Sequence, residues 1–271
     1  MAVLHPRLSV SAISSFGWTF EQDLAFWRDA GITLVGAALH KVVPYGADQA
    51  ADELAAAGIA VANVVGSMGF HLDQPERWEE ERAAAVDGLD VARRLGSPVL
   101  SMTPGPPGVL SADEAAEAFV VAVDPVLDAG VERGVRVAFE HTTPMRRDLG
   151  FVTTLADAVE LAERADLGVC VELNNAWVEM HLDRTIARGV GAFAFVQVSD
   201  AVAGSVTTPD RAVPGDGDIP LESLLGRLLE AGYQGTFDLE VIGPRIEQEG
   251  YASAIGRGAT WVSAVLTRLG A

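Results

Sequence analysis

The sequence predicts an α/β protein folded as a single (β/α)8 TIM barrel. Eight short apolar runs have the length and composition of buried parallel strands, and each is followed by an amphipathic stretch of helical length. With 271 residues the chain has the size of one such barrel, and no low-complexity or Pro/Ser-rich linker divides it. We therefore expect one domain over residues 1–271.

The predicted elements alternate along the whole chain. The strands are Arg7–Ile13, Thr33–Ala37, Ala60–Val65, Pro98–Met102, Val135–Glu140, Leu167–Glu172, Ala192–Gln197 and Thr236–Glu240. The helices are Phe20–Ala30, Ala47–Ala57, Pro75–Leu95, Ser111–Arg133, Thr154–Arg164, Glu179–Arg188, Pro220–Ala231 and Gln248–Leu269. Regular alternation of this kind closes most simply as a parallel barrel surrounded by helices.

Residues at the helix ends support these boundaries. Ser111 and Glu114 fit a capping box, in which each side chain accepts a hydrogen bond from the backbone amide of the other residue. Glycine follows four of the predicted helices, where a left-handed residue turns the chain toward the next strand; these are Gly31, Gly58, Gly134 and Gly232. After the third strand, Gly66 and Gly69 flank Met68, which we interpret as an ordinary loop, with a flexible pocket wall as the alternative.

The composition restricts the classes of partner. A formal net charge of −19 would repel a phosphate backbone, so we expect no nucleic-acid ligand. No secretory signal precedes the first strand, and no charge-free apolar run reaches the length of a membrane span, so we expect a cytoplasmic protein. Cys170, the only cysteine, lies inside an apolar run and is interpreted as a small buried hydrophobe without chemistry.

The last four strands share a feature that points to a metal site. Each ends in a side chain that carries an oxygen ligand: Glu140, Glu172, Gln197 and Glu240. The carboxyl ends of barrel strands meet at one face of the fold, and polar residues there are interpreted as functional before structural. We therefore expect these four side chains to converge and to hold one divalent ion.

In order and in strand-end position, these residues resemble the metal ligands of the xylose isomerase-like superfamily of sugar isomerases and epimerases. The matching segments are Phe139-Glu140-His141, Val171-Glu172-Leu173-Asn174-Asn175, Val196-Gln197-Val198-Ser199-Asp200 and Asp238-Leu239-Glu240, and the resemblance spans essentially the whole chain. Gln197 stands where many relatives have His. A neutral oxygen donor beside three carboxylates favours Mn²⁺ or Mg²⁺, with Co²⁺ as an alternative.

The resemblance also implies a reaction. It assigns Glu140 and Glu240 as the exchangeable acid and base that also contact the metal, with Glu172 and Gln197 chiefly ligands. A base removes the proton alpha to a carbonyl, and the cation stabilises the resulting enediolate. The expected function is therefore isomerisation or epimerisation of a small sugar, keto-sugar or cyclitol.

Two further residues are assigned to substrate binding. Arg211, in the long segment after the seventh strand, resembles an arginine that organises the substrate in relatives, with an ion pair to Asp216 or Asp218 as the alternative. Asn175 stands where several sugar epimerases carry a substrate-binding His; it can bond a hydroxyl but cannot shuttle a proton.

His141 and Trp177 complete the expected substrate site, each with an open alternative. Strand alternation points His141 away from the Glu140 side, but the strand ends there and the ring could swing into the pocket as a base. Trp177 could form a wall of the pocket or pack on a neighbouring loop.

Other functions remain open at the level of sequence. The same proton abstraction followed by loss of a beta leaving group gives a dehydratase or lyase, as in keto-inositol or dehydroshikimate dehydratases. A non-catalytic sugar-binding accessory protein is a third class. The partner expected in each case is a small polyhydroxylated molecule, and the resemblance also allows a homodimer.

Overall fold

The protein is described from a computed structural model over residues 3–66 and 69–271. Met68 lies outside the described residues. The strands are β1 (Leu8–Ser11), β2 (Leu34–Ala38), β3 (Ala60–Val65), β4 (Val99–Met102), β5 (Arg136–Glu140), β6 (Gly168–Glu172), β7 (Phe193–Val198) and β8 (Thr236–Leu239). Each pairs in parallel with its neighbour in sequence, and β1 pairs with β8, so the sheet closes. The predicted (β/α)8 TIM barrel is confirmed.

Helices connect the strands on the outside of the barrel. They are α1 (Phe20–Ala30), α2 (Leu39–Tyr45), α3 (Ala47–Ala57), α4 (Trp78–Arg94), α5 (Ala112–Arg133), α6 (Leu155–Ala165), α7 (Leu173–Ala176), α8 (Leu182–Gly189), α9 (Leu221–Glu230), α10 (Pro244–Glu249) and α11 (Tyr251–Leu269). Among the described residues, none of these helices combines the length and apolarity that crossing a bilayer requires.

The predicted helix ends are largely correct. Ser111 and Glu114 form both bonds of the capping box at the start of α5. Gly31, Gly58 and Gly134 end α1, α3 and α5 in the left-handed conformation, with φ of 69°, 67° and 66°. These matches arise because capping depends on residues adjacent in sequence.

The differences lie at the ends of strands. The chain leaves β1 at Ser11 and forms a 3₁₀ turn over Ala12–Ser15, where a strand was predicted to continue to Ile13. The short helices α2, α7 and α10 follow β2, β6 and β8 and were not predicted, because fewer than two turns show no clear helical period. Gly250, at a φ of 96°, separates α10 from α11, where one continuous helix was predicted.

Two apolar clusters fix the barrel. The larger lies between the sheet and the helices and includes Trp27, Phe119, Phe139 and Phe237. The smaller contains Val99, Ala138, Cys170 and Phe195 and lies inside the barrel. Because side chains alternate along a strand, the residue two positions after Ala138, Cys170 and Phe195 also points inward. Those residues are Glu140, Glu172 and Gln197.

Candidate active site

Four strands bring the candidate ligands to the carboxyl end of the barrel. Glu140 and Glu172 are the last residues of β5 and β6, Gln197 is the penultimate residue of β7, and Glu240 directly follows β8. Glu172 and Gln197 are direct neighbours across the sheet. Glu172 and Gln197 are fully buried, and Glu240 is 6% exposed. Glu140 is only partly buried, so the site forms the floor of the barrel mouth and stays open to solvent on the Glu140 side.

Gln197 and Glu240 are joined by a short hydrogen bond. The Gln197 Nε2 atom donates to Oε2 of Glu240 at 2.5 Å. Ser11 on β1 donates to the same carboxylate oxygen at 3.3 Å. On its other side, Oε1 of Gln197 accepts from the Cys170 thiol at 3.1 Å. Cys170 is buried, as predicted, and its thiol contacts the Gln197 amide.

The two oxygens of Glu172 have different surroundings. Oε1 accepts from the backbone amide of Asn174 at 2.8 Å, so Glu172 also caps the short helix α7. Oε2 lies 3.2 Å from Nη2 of Arg211. That contact lacks hydrogen-bond geometry, and within the described residues Oε2 accepts no hydrogen bond. Oε1 therefore holds the start of α7, whereas Oε2 faces Arg211 and the site.

Arg211 pairs with Glu172 and not with Asp216 or Asp218, the alternative partners. The alternative partners are occupied elsewhere: Asp216 binds Arg257 at 2.8 Å, and Asp218 accepts from the amide of Ala203 at 2.8 Å. Only 12% of the Arg211 side chain is exposed.

The three carboxylates repel one another in a desolvated space. Burial raises the pKa of Glu140 to about 7, and the nearby charge of Glu172 adds to the effect. Burial also raises the pKa of Glu240 well above its usual range, followed by repulsion from Glu140 and Glu172. The Arg211 guanidinium opposes these shifts at all three carboxyl groups. Without a cation, the site therefore relieves the repulsion by keeping protons on its carboxyl groups.

The His141 ring is buried beside this cluster. Both ring nitrogens lack hydrogen-bond partners among the described residues. Burial, and then the Arg211 charge, lowers the pKa of His141 to about 3, so the imidazole is neutral near pH 7. Asn175 donates to the backbone carbonyl of His141 at 3.0 Å. Trp177, by contrast, is half-buried and packs against the larger apolar cluster.

Comparison with known proteins places the chain in a family. The sequence profile described as the xylose isomerase-like TIM barrel matches residues 24–262. The chain belongs to this family. A search of curated proteins gave no significant match.

Several solved structures share the xylose isomerase-like fold. The IOLI protein with a bound zinc atom superimposes with a TM-score of 0.86 at 17% identity, covering 97% of this chain and 99% of that one. L-ribulose 3-epimerase gives a TM-score of 0.80 at 14% identity, with 98% and 96% coverage. A Mycobacterium smegmatis protein of the same type, solved with magnesium, gives 0.73 at 16% identity, with 98% of each chain covered.

The residues of this xylose isomerase-like barrel fit a hard divalent cation in their chemistry. Three carboxyl groups, one of which has an unbonded oxygen at Glu172, are the donors that such cations prefer. As the side chains stand in residues 3–66 and 69–271, no three of the His, Cys, Asp and Glu residues are arranged around one metal position. Arg211 lies against Glu172, and the Gln197 oxygen faces Cys170. A half-turn of the Gln197 amide would exchange its two terminal atoms and bring the oxygen beside Glu240.

Sequence reasoning missed a second polar layer directly beneath Glu240. Asp238 is fully buried in the barrel and accepts from the Ser9 hydroxyl at 2.5 Å. The Asn63 side chain is also buried in this layer. Gly36 leaves room for the Asp238 carboxylate, because a Cβ at position 36 would lie 2.9 Å from either of its oxygens. The alternation of Asp238 with Glu240, and of Ser9 with Ser11, was the available signal for an inward polar face.

Proposed function

We propose that this protein is a divalent-metal-dependent isomerase or epimerase of a small sugar, keto-sugar or cyclitol. The observation that carries the proposal is the group of three carboxyl groups that lie around Arg211 at the carboxyl end of the barrel. Glu172 and Glu240 are buried, and Glu140 is partly exposed. Three ionised carboxylates in this space repel one another, so they either hold protons or are neutralised by a bound cation. Membership of the xylose isomerase-like family supports the choice of reaction.

Glu140 and Glu240 are proposed as the exchangeable acid and base. A carboxyl group with a pKa of about 7, as burial gives Glu140, can both accept and donate a proton near neutral pH. Glu240 is held by Gln197 and Ser11, which fixes the direction of its free oxygen. One carboxylate would remove the proton alpha to the carbonyl, and the other would return a proton at the position that defines the product.

Glu172 and Gln197 are proposed to complete the metal site together with Glu140 and Glu240. Mn²⁺ or Mg²⁺ suits these oxygen donors, with Co²⁺ as an alternative. When bound, the ion would stabilise the negative charge that develops on the substrate oxygens. The ion would replace Arg211 as the partner of Glu172, and the guanidinium would then be free to bind a substrate oxygen.

The substrate is proposed to lie against Arg211, His141 and Asn175. A neutral imidazole with both nitrogens unbonded can donate to one hydroxyl and accept from another. Arg211 suits a hydroxylated or anionic group through paired N–H donors. Trp177 is proposed as a flanking wall. These groups suit a small polyhydroxylated carbonyl compound, and we propose no nucleic-acid or membrane ligand.

A deuterium-exchange assay tests the proposal. The purified protein is saturated with Mn²⁺ or Mg²⁺ in D₂O and incubated with aldoses, ketoses, keto-inositols and dehydroshikimate, and the products are followed by NMR. Magnesium is used for the spectra, because Mn²⁺ broadens nearby resonances. Glu140→Gln at saturating metal serves as the matched inactive control, since it preserves shape but cannot exchange a proton.

The fate of the exchanged carbon separates the candidate reactions. Deuterium incorporation with an intact carbon skeleton supports isomerisation or epimerisation. Incorporation with loss of water assigns the protein to the dehydratases. Saturable sugar binding without exchange or product across the whole panel contradicts both enzyme functions and indicates an accessory binding protein.

A further inference from the structure

The loop between β7 and α9 carries Arg211, and Asp200 lies at its start. Asp200 is only 1% exposed, yet it has no cationic partner in the described ion pairs. Its carboxylate instead accepts four backbone hydrogen bonds of 2.9–3.1 Å, from the amides of Ala201, Gly215, Gly217 and Ile219. One side chain therefore ties together both ends of a 19-residue loop, 201–219.

The backbone of Asp200 holds the residue next to Arg211. Asp200 and Ala212 exchange N–H···O bonds of 3.0 and 2.8 Å. The Arg211 amide donates to the carbonyl of Ile242 at 2.9 Å. The arginine backbone is therefore fixed between the end of β7 and the segment after β8.

Asp200 is also connected to the carboxylate that Arg211 faces. The Asp200 carbonyl accepts from the Asn174 side-chain amide at 3.0 Å. The backbone amide of Asn174 in turn binds Oε1 of Glu172, whose Oε2 lies 3.2 Å from Arg211. The contacts close a ring from Asp200 through Asn174 to Glu172, across to Arg211, and back through Ala212.

Gly217 shows how closely the loop approaches this carboxylate. A Cβ at position 217 would lie 2.3 Å from Oδ1 of Asp200 and 2.5 Å from the carbonyl oxygen of Ala201. No side chain fits there without displacing the Asp200 carboxylate. The position of the Asp200 carboxylate thus requires glycine at position 217.

We propose that Asp200 is a positioning residue, which holds the loop so that the Arg211 guanidinium faces Glu172. Asp200 does not reach the site itself, because its carboxylate oxygens are engaged by backbone amides. Its consequence for turnover rests on the proposed function, but its effect on Arg211 does not. A conformational effect on Arg211 is therefore measurable in the protein without substrate.

The test follows the Nε–H resonance of Arg211 in ¹⁵N-labelled protein, assigned by its absence in Arg211→Met. Asp200→Asn keeps the size of the side chain but replaces one acceptor oxygen with an NH₂ group that faces amide donors, so at least one pair of bonds is lost. The resonance should move toward the position of a solvated arginine and exchange faster with water. Asp218→Asn is the control, since Asp218 is an exposed residue of the same loop that accepts one backbone bond.

An unchanged Arg211 resonance in folded Asp200→Asn overturns the proposal. If that variant does not fold, Gly217→Ala displaces the Asp200 carboxylate from the loop side and should move the same resonance. A Gly217→Ala protein with an unchanged resonance overturns the proposal equally.

A turnover assay sharpens the same test if the exchange assay identifies a substrate. Asp200→Asn should then lower kcat/KM by roughly 10²-fold, the scale of an ångström misplacement, and add nothing further in an Arg211→Met background. Additive losses would contradict action through Arg211. Absence of turnover in wild type counts against the proposed function and leaves the resonance shift as the test of Asp200.

Discussion

Two buried charged clusters lie at the same end of the barrel, and they differ in whether their hydrogen bonds are complete. In the first, Lys41 binds Asp23 at 2.7 Å and the backbone carbonyls of Ala12 and Ser15 at 2.7 and 2.9 Å. The Ser15 hydroxyl bonds the other Asp23 oxygen. This cluster contains one charge of each sign, and both are enclosed by partners.

The second cluster, Glu140, Glu172 and Glu240, has three carboxylates and one arginine, with an oxygen of Glu172 unbonded. Both clusters contain buried charged groups, so burial alone does not identify a functional site. The second cluster differs from the first in having several acidic groups for one arginine, and in having an oxygen of Glu172 without a hydrogen bond. A complete cluster stabilises the loops after β1 and β2, whereas an incomplete cluster retains the capacity to bind a ligand.

The largest expected effect removes one member of the complete cluster. Lys41→Met leaves the Asp23 carboxylate buried without its cation, which should lower the free energy of unfolding by about 3–5 kcal/mol. Urea unfolding measures the change. Arg227→Met is the control, because Arg227 forms an exposed ion pair with Asp183 at 2.9 Å and should change stability by less than about 1 kcal/mol. Equal changes in the two variants would remove the distinction on which the comparison rests.

Substitutions in the incomplete cluster should affect turnover and not stability. Glu140→Gln and Glu240→Gln each remove one of several repelling charges, so neither variant should be destabilised as Lys41→Met is. Turnover should nevertheless fall by at least roughly 10²-fold at saturating metal, because glutamine cannot exchange a proton. A metal-binding isotherm for each variant controls for lost affinity. Near-normal turnover in both metal-saturated variants would reject their roles as acid and base.

The pH dependence of stability should show the raised pKa of Glu140, which burial causes first and the charge of Glu172 second. The folded pKa of Glu140 is about 7, against an ordinary value of 4.5, so the folded state holds the proton more tightly than the unfolded state. Without metal, this carboxyl's contribution to stability falls as pH rises from about 4.5 to 7, by about 3 kcal/mol, and stays reduced above that range.

Because the neutral His141 contributes with the opposite sign, the measurement is a difference between two proteins. The free energy of unfolding of wild type minus that of Glu140→Gln is followed from pH 4 to 8 by chemical denaturation. The difference should become more negative across that range and should flatten in saturating Mg²⁺. A difference that is independent of pH would show that neither burial nor the charge of Glu172 raises the pKa of the Glu140 carboxyl.

The sequence was sufficient to predict the barrel and the strand-end position of Glu140, Glu172, Gln197 and Glu240, because those features repeat with the period of strand and helix. It was insufficient for Lys41, which lies on a helix too short to show a period, and for Asp200, whose partners are backbone amides up to 19 residues away. Backbone amides have no sequence signature. The contact of Arg211 with Glu172 was likewise undetermined, since Asp216 and Asp218 are nearer in the chain.

The smallest expected effect concerns Gln197, which links the incomplete cluster to the barrel interior. Gln197→His places an imidazole nitrogen where the amide stands, which should shift relative affinity from Mg²⁺ toward Zn²⁺, Co²⁺ or Ni²⁺ by about tenfold if this side chain contacts the ion. Competition titrations measure the order of affinities. Cys170→Ala is the control, because it removes the thiol bonded to the Gln197 oxygen but leaves the amide in place.

Gln197→Leu separates metal contact from support of Glu240. Leucine fills similar space without a donor or an acceptor, so every divalent ion should bind more weakly while the affinity order stays that of the wild type. It also removes the 2.5 Å bond to Glu240, so the Glu240 carboxylate loses an orienting partner in addition to the lost ligand. If Leu weakens binding but His leaves the order of ions unchanged, Gln197 acts only through Glu240. In that case Glu140, Glu172 and Glu240 are the only protein ligands among the four predicted residues. The unbonded oxygen of Glu172 is then a position for the ion.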